Sequence, residues 1–438
     1  MRLKHIRHIK QLAVLTVIFL WASGAWAVSK YRVLYSFQGG SDGADPSGGL
    51  TFDVAGNLYG ATLAGGNQNT LCNTFSETGC GTVFKLTPGA GGWTKSLLYG
   101  FCSESNCADG DSPKGALVLD AAGALYGTTV YGGACPSYYY LCGTAFELAP
   151  DSKGGWQYTV LYAFQGGSDA INPNGGLIFD HSGNLYGTAG GFTRGCPCGT
   201  VFVLSPGSGK WTEQVLHNFC LGNCGDGADP ATALVLGPGG DLYGATYYGG
   251  HFSWGCNGGC GVLFRLTGNS KGKWKENVLR TLAGADGANP VSALISDAQG
   301  NLYGTTISDG VFGQGTVFRL SPTSKGDWKY TVLHEFQTGR LGGGLFRSAL
   351  VLDAKGNLYG TTWTGGTGNC NGNGCGLVYK LAPGAHDRWK YTHLYDFTGA
   401  ADGGFPSSGL IIDKNGSLYG ETQIGGDNEN GVVYEVTP

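Results

Sequence analysis

The sequence predicts an all-β fold: a single seven-bladed β-propeller built from four-stranded antiparallel blades. Three observations predict it: a phrase written seven times, four β-favouring runs within each copy, and chain ends that complete each other. The phrase is Leu-Tyr-Gly, with its tyrosine at Tyr59, Tyr126, Tyr186, Tyr243, Tyr303, Tyr359 and Tyr419. A recurrence every 56 to 67 residues along the whole chain marks a repeat architecture.

The copy at 348–397 shows the unit. The apolar run ALVLD leads into a tight turn, AKGN, where Asp353 and Gly356 suit the geometry. LYGTTW, GLVYKL and WKYTHLYDF follow, separated by loops, and no stretch has helical periodicity. The third run recurs as GTVFKLTP (81–88), GTVFVLSP (199–206) and GTVFRLSP (315–322). Trp93, Trp156, Trp211, Trp274, Trp328 and Trp389 each open the fourth run. Glycine, 82 of 438 residues, falls at turn positions and in Leu-Tyr-Gly, where it is expected to let neighbouring sheets approach closely. A lone four-stranded sheet buries too little to stand alone. Units of about 60 residues point to blades packed around an axis, with Kelch blades the nearest in size.

The ends exclude an open solenoid. The last copy supplies GLIID, SLYGETQ and GVVYEVTP and then stops, one strand short. Residues 31–37, YRVLYSF, read as a fourth strand with nothing before it, like YTVLYAF at 158–164. The amino-terminal strand is therefore expected to complete the last blade and leave no open edge. One domain over 31–438, and a monomer, are expected.

Residues 1–27 read as a secretory signal: Arg2, Lys4, Arg7 and Lys10, an apolar run from Leu12 to Trp21, then Ala25-Trp26-Ala27. The run is short for a membrane span, so none is expected after cleavage. Without this segment 23 basic residues face 31 acidic ones, a net charge of about −8. No Lys/Arg cluster exists to bind phosphate backbones or an anionic membrane, so nucleic-acid binding is not expected.

The 14 cysteines fall in close pairs: Cys72/Cys80, Cys102/Cys107, Cys135/Cys142, Cys196/Cys198, Cys220/Cys224, Cys256/Cys260 and Cys370/Cys375. Behind an export signal they read as disulfides in an oxidising compartment. Cys196-Pro197-Cys198 is the weak case, because so tight a ring strains the bond geometry. Paired thiolates can also hold zinc, but the ligand spacing for that is missing, and no metal or cofactor is expected.

The recurring GNLYGTT…GG…GTVF.L…W…VL..F…DG..P resembles the bacterial GloVer tandem repeat of the choice-of-anchor tandem repeat GloVer-containing proteins, over nearly the whole chain beyond the signal. The resemblance implies an exported protein and no particular activity. Family members often end in a sorting anchor. This chain ends on a strand instead, so release into the periplasm or medium is expected.

In a propeller the second-to-third loops and the blade-to-blade loops share one face. All the cysteine pairs fall in those loops, which suits a braced binding surface. The blade-to-blade loops also carry Asp42, Asp109, Asp169, Asp226, Asp286 and Asp402, each shortly before a proline. These aspartates read either as turn caps or as a ring of acids for Ca²⁺, a cation or a sugar. Aromatic residues add Tyr138, Tyr139 and Tyr140 in one loop and Tyr248, His251 and Trp254 in another, placed to stack on sugars or anchor a peptide. There is no H-E-x-x-H and no phosphate-binding loop, and His217 and His334 stand where other copies have tyrosine. The expected function is an exported binding or scaffold module for a glycan or another exported protein. The alternative is a polysaccharide hydrolase or lyase using the loop aspartates.

Overall fold

The computed structural model describes residues 29–46, 48–68, 71–72, 79–133, 142–166, 169–193, 196–220, 224–230, 232–252, 256, 258–337, 343–344 and 348–438. It is a seven-bladed propeller. Blade 3 is typical: Ile178–Phe179, Leu185–Thr193, Cys196–Ser205 and Thr212–Phe219 pair antiparallel in that order from the axis outward. Blade 7 is closed as expected. Its outermost strand is Lys30–Ser36, paired antiparallel with Val432–Thr437 in a register that sets Val33 against Tyr434.

Each element of the repeated phrase has a separate physical job. The aspartate before it caps the first turn: Asp53 accepts the N–H groups of Ala55 and Asn57, each at 2.9 Å, and the Tyr59 hydroxyl at 3.1 Å. Asp180, Asp297, Asp353 and Asp413 repeat the arrangement. Leucine of the phrase is core, fully buried at Leu58, Leu125, Leu185 and Leu418. The tyrosine ring receives the tryptophan of the next blade edge-on, Trp156 on Tyr59 at 6.1 Å and Trp328 on Tyr243 at 5.7 Å. Trp93 on Tyr419 makes the same contact across the closure, at 6.4 Å.

Glycine of the phrase acts differently from the expectation. A Cβ at Gly187 would lie 2.5 Å from the Phe202 ring, and one at Gly304 would lie 2.6 Å from Phe318. Phe202 and Phe318 are the cross-strand partners of those glycines within the same sheet. The missing side chain therefore makes room chiefly for a buried ring of its own blade, rather than for a neighbouring sheet.

The inner strands meet around a narrow channel of about 270 Å³, lined mostly by glycine, alanine and serine from all the blades, such as Gly49, Ala116, Gly176, Ala233, Ala293, Ala349 and Ser408. Seven strands converge there, and most positions carry small side chains.

The closure seam carries one residue unlike its counterparts. Where the other blades have Ala61, Thr128, Thr188, Ala245, Thr305 and Thr361, blade 7 has Glu421. Its side chain is fully buried between blades 7 and 1, and one carboxyl oxygen accepts the Gly49 N–H at 2.9 Å. Burial pushes its pKa up to about 7, and the nearby Asp45 adds to the rise, against the Gly49 hydrogen bond and the nearby Ser408 hydroxyl, which oppose it. An acid raised in the folded state stabilises most below its unfolded pKa, and that stability is lost as pH rises toward the folded value. Glu421 alone should therefore cost roughly 3 kcal/mol between about pH 4.5 and pH 7. Urea denaturation at stepped pH should show this loss in the wild type and its absence in Glu421→Gln. Parallel pH profiles for the two proteins would contradict it.

Candidate functional site

The second-to-third loops and the blade-to-blade loops do share a face: the sulfurs of Cys72, Cys80 and Cys102, from one loop of each kind, lie within 4.8 Å of one another. These sulfurs are in disulfides, Cys72–Cys80 and Cys102–Cys107, so they offer no thiolate to a metal. Cys220–Cys224, Cys256–Cys260 and Cys370–Cys375 are also bonded. Cys142 is in a disulfide too, while Cys135 lies outside the described residues. The expected pair Cys196–Cys198 is corrected: the Cys198 thiol is free. Both residues belong to the strand Cys196–Ser205. Two positions apart on one strand, with parallel Cβ vectors, Cβ atoms stay about 6.6 Å apart, well beyond the roughly 3.5–4.5 Å a disulfide allows. Disulfides of this number belong to an oxidising, non-cytoplasmic compartment. Among the described residues no helix is long and apolar enough to cross a membrane.

The six loop aspartates do not converge on the axis. Each sits at the outer part of a blade junction, where its oxygens meet the fourth strand of its own blade. Asp109, fully buried, accepts the Tyr99 hydroxyl at 2.6 Å, the Ser103 N–H and hydroxyl at 2.8 Å each, and the Glu104 N–H at 3.2 Å. Asp42 takes Tyr35 and Gln38, and Asp402 takes Tyr395 and Thr398. Asp169 takes Tyr162 and Gln165, and Asp286 takes Arg280. Asp226 takes the Cys220 N–H, with His217 at 3.4 Å.

The next blade completes the junction from the second position after its tryptophan, or from the matching Tyr31 in blade 7, whose outer strand has no tryptophan. Tyr158 stacks on Tyr99 at 4.0 Å, Tyr31 on Tyr395 at 3.9 Å, and Tyr391 on His334 at 4.3 Å. Arg280 lies over the Tyr330 ring, and Lys95 reaches Asp42 at 2.8 Å. Aspartate, a fourth-strand partner and a residue from the next blade thus form a clasp that holds adjacent blades together.

A second set of recurring residues lies a few positions further on. Asp45, Ser112, Asn172, Asp229, Asn289 and Phe405 each precede a proline and adopt positive φ, between 53° and 57°. That conformation is costly for residues with side chains. It is held by the N–H of each, which docks on a carbonyl of the preceding blade: Asn430, Cys80, Cys142, Cys198, Cys260 and Cys375 in turn.

Between blades 1, 2 and 3 this ring opens into a cavity of about 330 Å³. Asp111, Lys114, Asn172 and Asn174 supply its polar wall, and Leu63, Val130 and Tyr131 its apolar one. Lys114 and Asn174 also line the channel, so the cavity sits at the channel mouth. Asp111 is 6% exposed, and burial pushes its carboxyl up to about 6 against the Ser112 hydroxyl and N–H that hold it down. Burial also raises Asp229, and the Lys114 ammonium pulls it back. Gly190 makes this approach possible: a Cβ there would lie 2.9 Å from the Asp229 carboxylate and 3.2 Å from the Asn174 amide.

A profile of the Gloeobacter/Verrucomicrobia repeat matches residues 17–195, 69–296 and 252–434. The chain belongs to the Gloeobacter/Verrucomicrobia repeat family. No curated protein sequence matches it significantly. Among solved structures, a protein of unknown function from Dyadobacter fermentans is 10% identical, with 93% of this chain and 98% of that one covered and a TM-score of 0.45. A gluconolactonase from Xanthomonas campestris is 13% identical, with 93% and 89% covered and a TM-score of 0.42. Both are too distant to carry a residue or an activity across to this repeat protein.

The aromatic candidates divide. Tyr138, Tyr139, Tyr140 and Trp254 lie outside the described residues. Tyr248 is half-buried, packed edge-on against Tyr247 at 4.4 Å, while His251 is exposed. Phe252, beside His251 in the same loop, is exposed, and sequence reasoning missed the exposed Val311 and Phe312 on the adjacent loop of blade 5. It also missed Asp111, Lys114, Asn172 and Asn174. Their signal was available as the variable residues on either side of the recurrent proline.

Asp109→Ala removes a buried carboxylate and leaves four donors without it, and should destabilise the protein by about 2–4 kcal/mol. Urea denaturation checks this, and a change within about 0.5 kcal/mol would contradict the clasp.

Proposed function

We propose that this repeat protein is an exported glycan-binding propeller that takes a sugar unit into the cavity at the channel mouth. The observation that carries the reading is the convergence of Asp111, Lys114, Asn172 and Asn174 on one cavity beside the Tyr131 ring. Fixed carboxylate, ammonium and amide groups suit the hydroxyls of a sugar, and an aromatic ring beside them suits its C–H face. A volume of about 330 Å³ accommodates a unit of that size. Exposed Phe252 and Phe312 on the same face offer further stacking surface to a longer chain. The disulfides support export.

The hydrolase or lyase reading is not carried forward, because the six aspartates that suggested it are held by their own junctions. The test keeps it visible. The purified protein is passed over a polysaccharide panel and the products are assayed for reducing ends and unsaturated sugars. Retention is expected without product. Lys114→Ala combined with Asn174→Ala should weaken retention tenfold or more while the protein stays folded by circular dichroism. Undiminished retention in that variant, or release of product by the wild type, would contradict the reading.

A further inference from the structure

We propose that Asp169 and Glu213, at the junction of blades 2 and 3, form a proton-operated clasp that sets the position of the cavity wall made by Asn172 and Asn174. This rests on the reading of that cavity as the binding site.

The junction differs from five of its counterparts at one residue. Where blade 3 has Glu213, other blades present Lys95, Tyr158, Tyr330, Tyr391 and Tyr31. Four of those donate to the aspartate of the preceding loop. Lys95 reaches the Asp42 carboxylate, and Tyr158, Tyr330 and Tyr31 reach the backbone carbonyls of Asp109, Asp286 and Asp402. A glutamate can donate only while it is protonated.

Oδ1 of Asp169 and Oε1 of Glu213 are buried and have no donor from the protein. The groups acting on the pair are the Tyr162 hydroxyl, 3.2 Å from Asp169, and the N–H groups of Gln165 and Ala170. None of them carries a positive charge. The next junction also has a glutamate, Glu276, but there the His217 ring, its pKa pushed down by burial, stands 3.4 Å from Asp226 as a third titratable group.

One proton shared between Asp169 and Glu213 closes the clasp as a carboxyl-to-carboxylate hydrogen bond. Its loss leaves two half-buried negative charges facing each other. Burial and the Asp169 charge push Glu213 up to about 7, so the change falls near neutrality. The effect has a short path to the cavity: Asp169 is three residues from Asn172, which is held at φ 56° with its N–H on the Cys142 carbonyl at 3.0 Å. Below the transition the wall is fixed, and above it the loop is pushed from blade 3.

The test is amide hydrogen exchange over residues 169–176 at pH 5.5 and 8.0, corrected for the intrinsic pH dependence of exchange. The wild type is compared with Glu213→Gln and with Glu213→Tyr, which installs the residue four other junctions already carry. Protection in the wild type should fall tenfold or more at pH 8.0, and less than threefold in both variants. Residues 285–293, at a junction without a second carboxyl, should not change. Equal pH dependence in wild type and variants, or none in the wild type, would overturn the clasp. Retention on the polysaccharide panel, measured alongside, should weaken at pH 8.0 in the wild type only. PH-dependent exchange with no retention at either pH would overturn the binding reading and leave the clasp supported.

Discussion

Every blade is a sheet apolar on both faces, and only two neighbouring blades can cover it. The structure therefore depends on closing the circle, and closure depends on one antiparallel pairing, Lys30–Ser36 with Val432–Thr437. That pairing does more than cap an edge. It brings Leu34 and Phe37 into a single cluster with Leu50, Leu58, Phe84, Leu86, Tyr419 and Val433, which spans blades 7 and 1. Without it, both surfaces of that seam would face water.

Packing between blades is organised in three zones. Small residues line the axis, aromatic pairs such as Trp156 on Tyr59 fill the middle, and the clasps hold the rim. The clasps tolerate tyrosine, histidine, arginine, lysine and glutamate because each position needs only a flat or hydrogen-bonding partner for an aspartate. Glu421 and Glu213 are departures from this pattern, and both put a proton into a contact between blades. The two acids lie at different seams, Glu421 at the ring closure and Glu213 beside the cavity wall.

The fold was legible in the sequence because its recurring residues each answer to one cause: a capped turn, a buried ring, a stacked tryptophan. The site was less legible for the same reason. Repetition drew attention to the six loop aspartates, yet what repeats in a propeller is what every junction needs. Asp111, Lys114, Asn172 and Asn174 stand where the copies differ, and difference at a fixed place in the fold marks a surface free to specialise. Cys196 and Cys198 were misread because sequence spacing does not report whether the chain between two residues is extended. The glycine of Leu-Tyr-Gly was read as serving a neighbouring sheet, because the ring it accommodates comes from the next strand and is invisible in local sequence.

Ring closure is tested most directly by a cross-link across it. Arg32 and Glu435 face each other in the closing register, with their side chains 2.5 Å apart. In the double variant Arg32→Cys and Glu435→Cys, an intramolecular disulfide should form in air, appear in a peptide map as 32 joined to 435, and raise the melting temperature. Absence of that link, or its appearance only between molecules, would contradict a ring closed by its own amino-terminal strand.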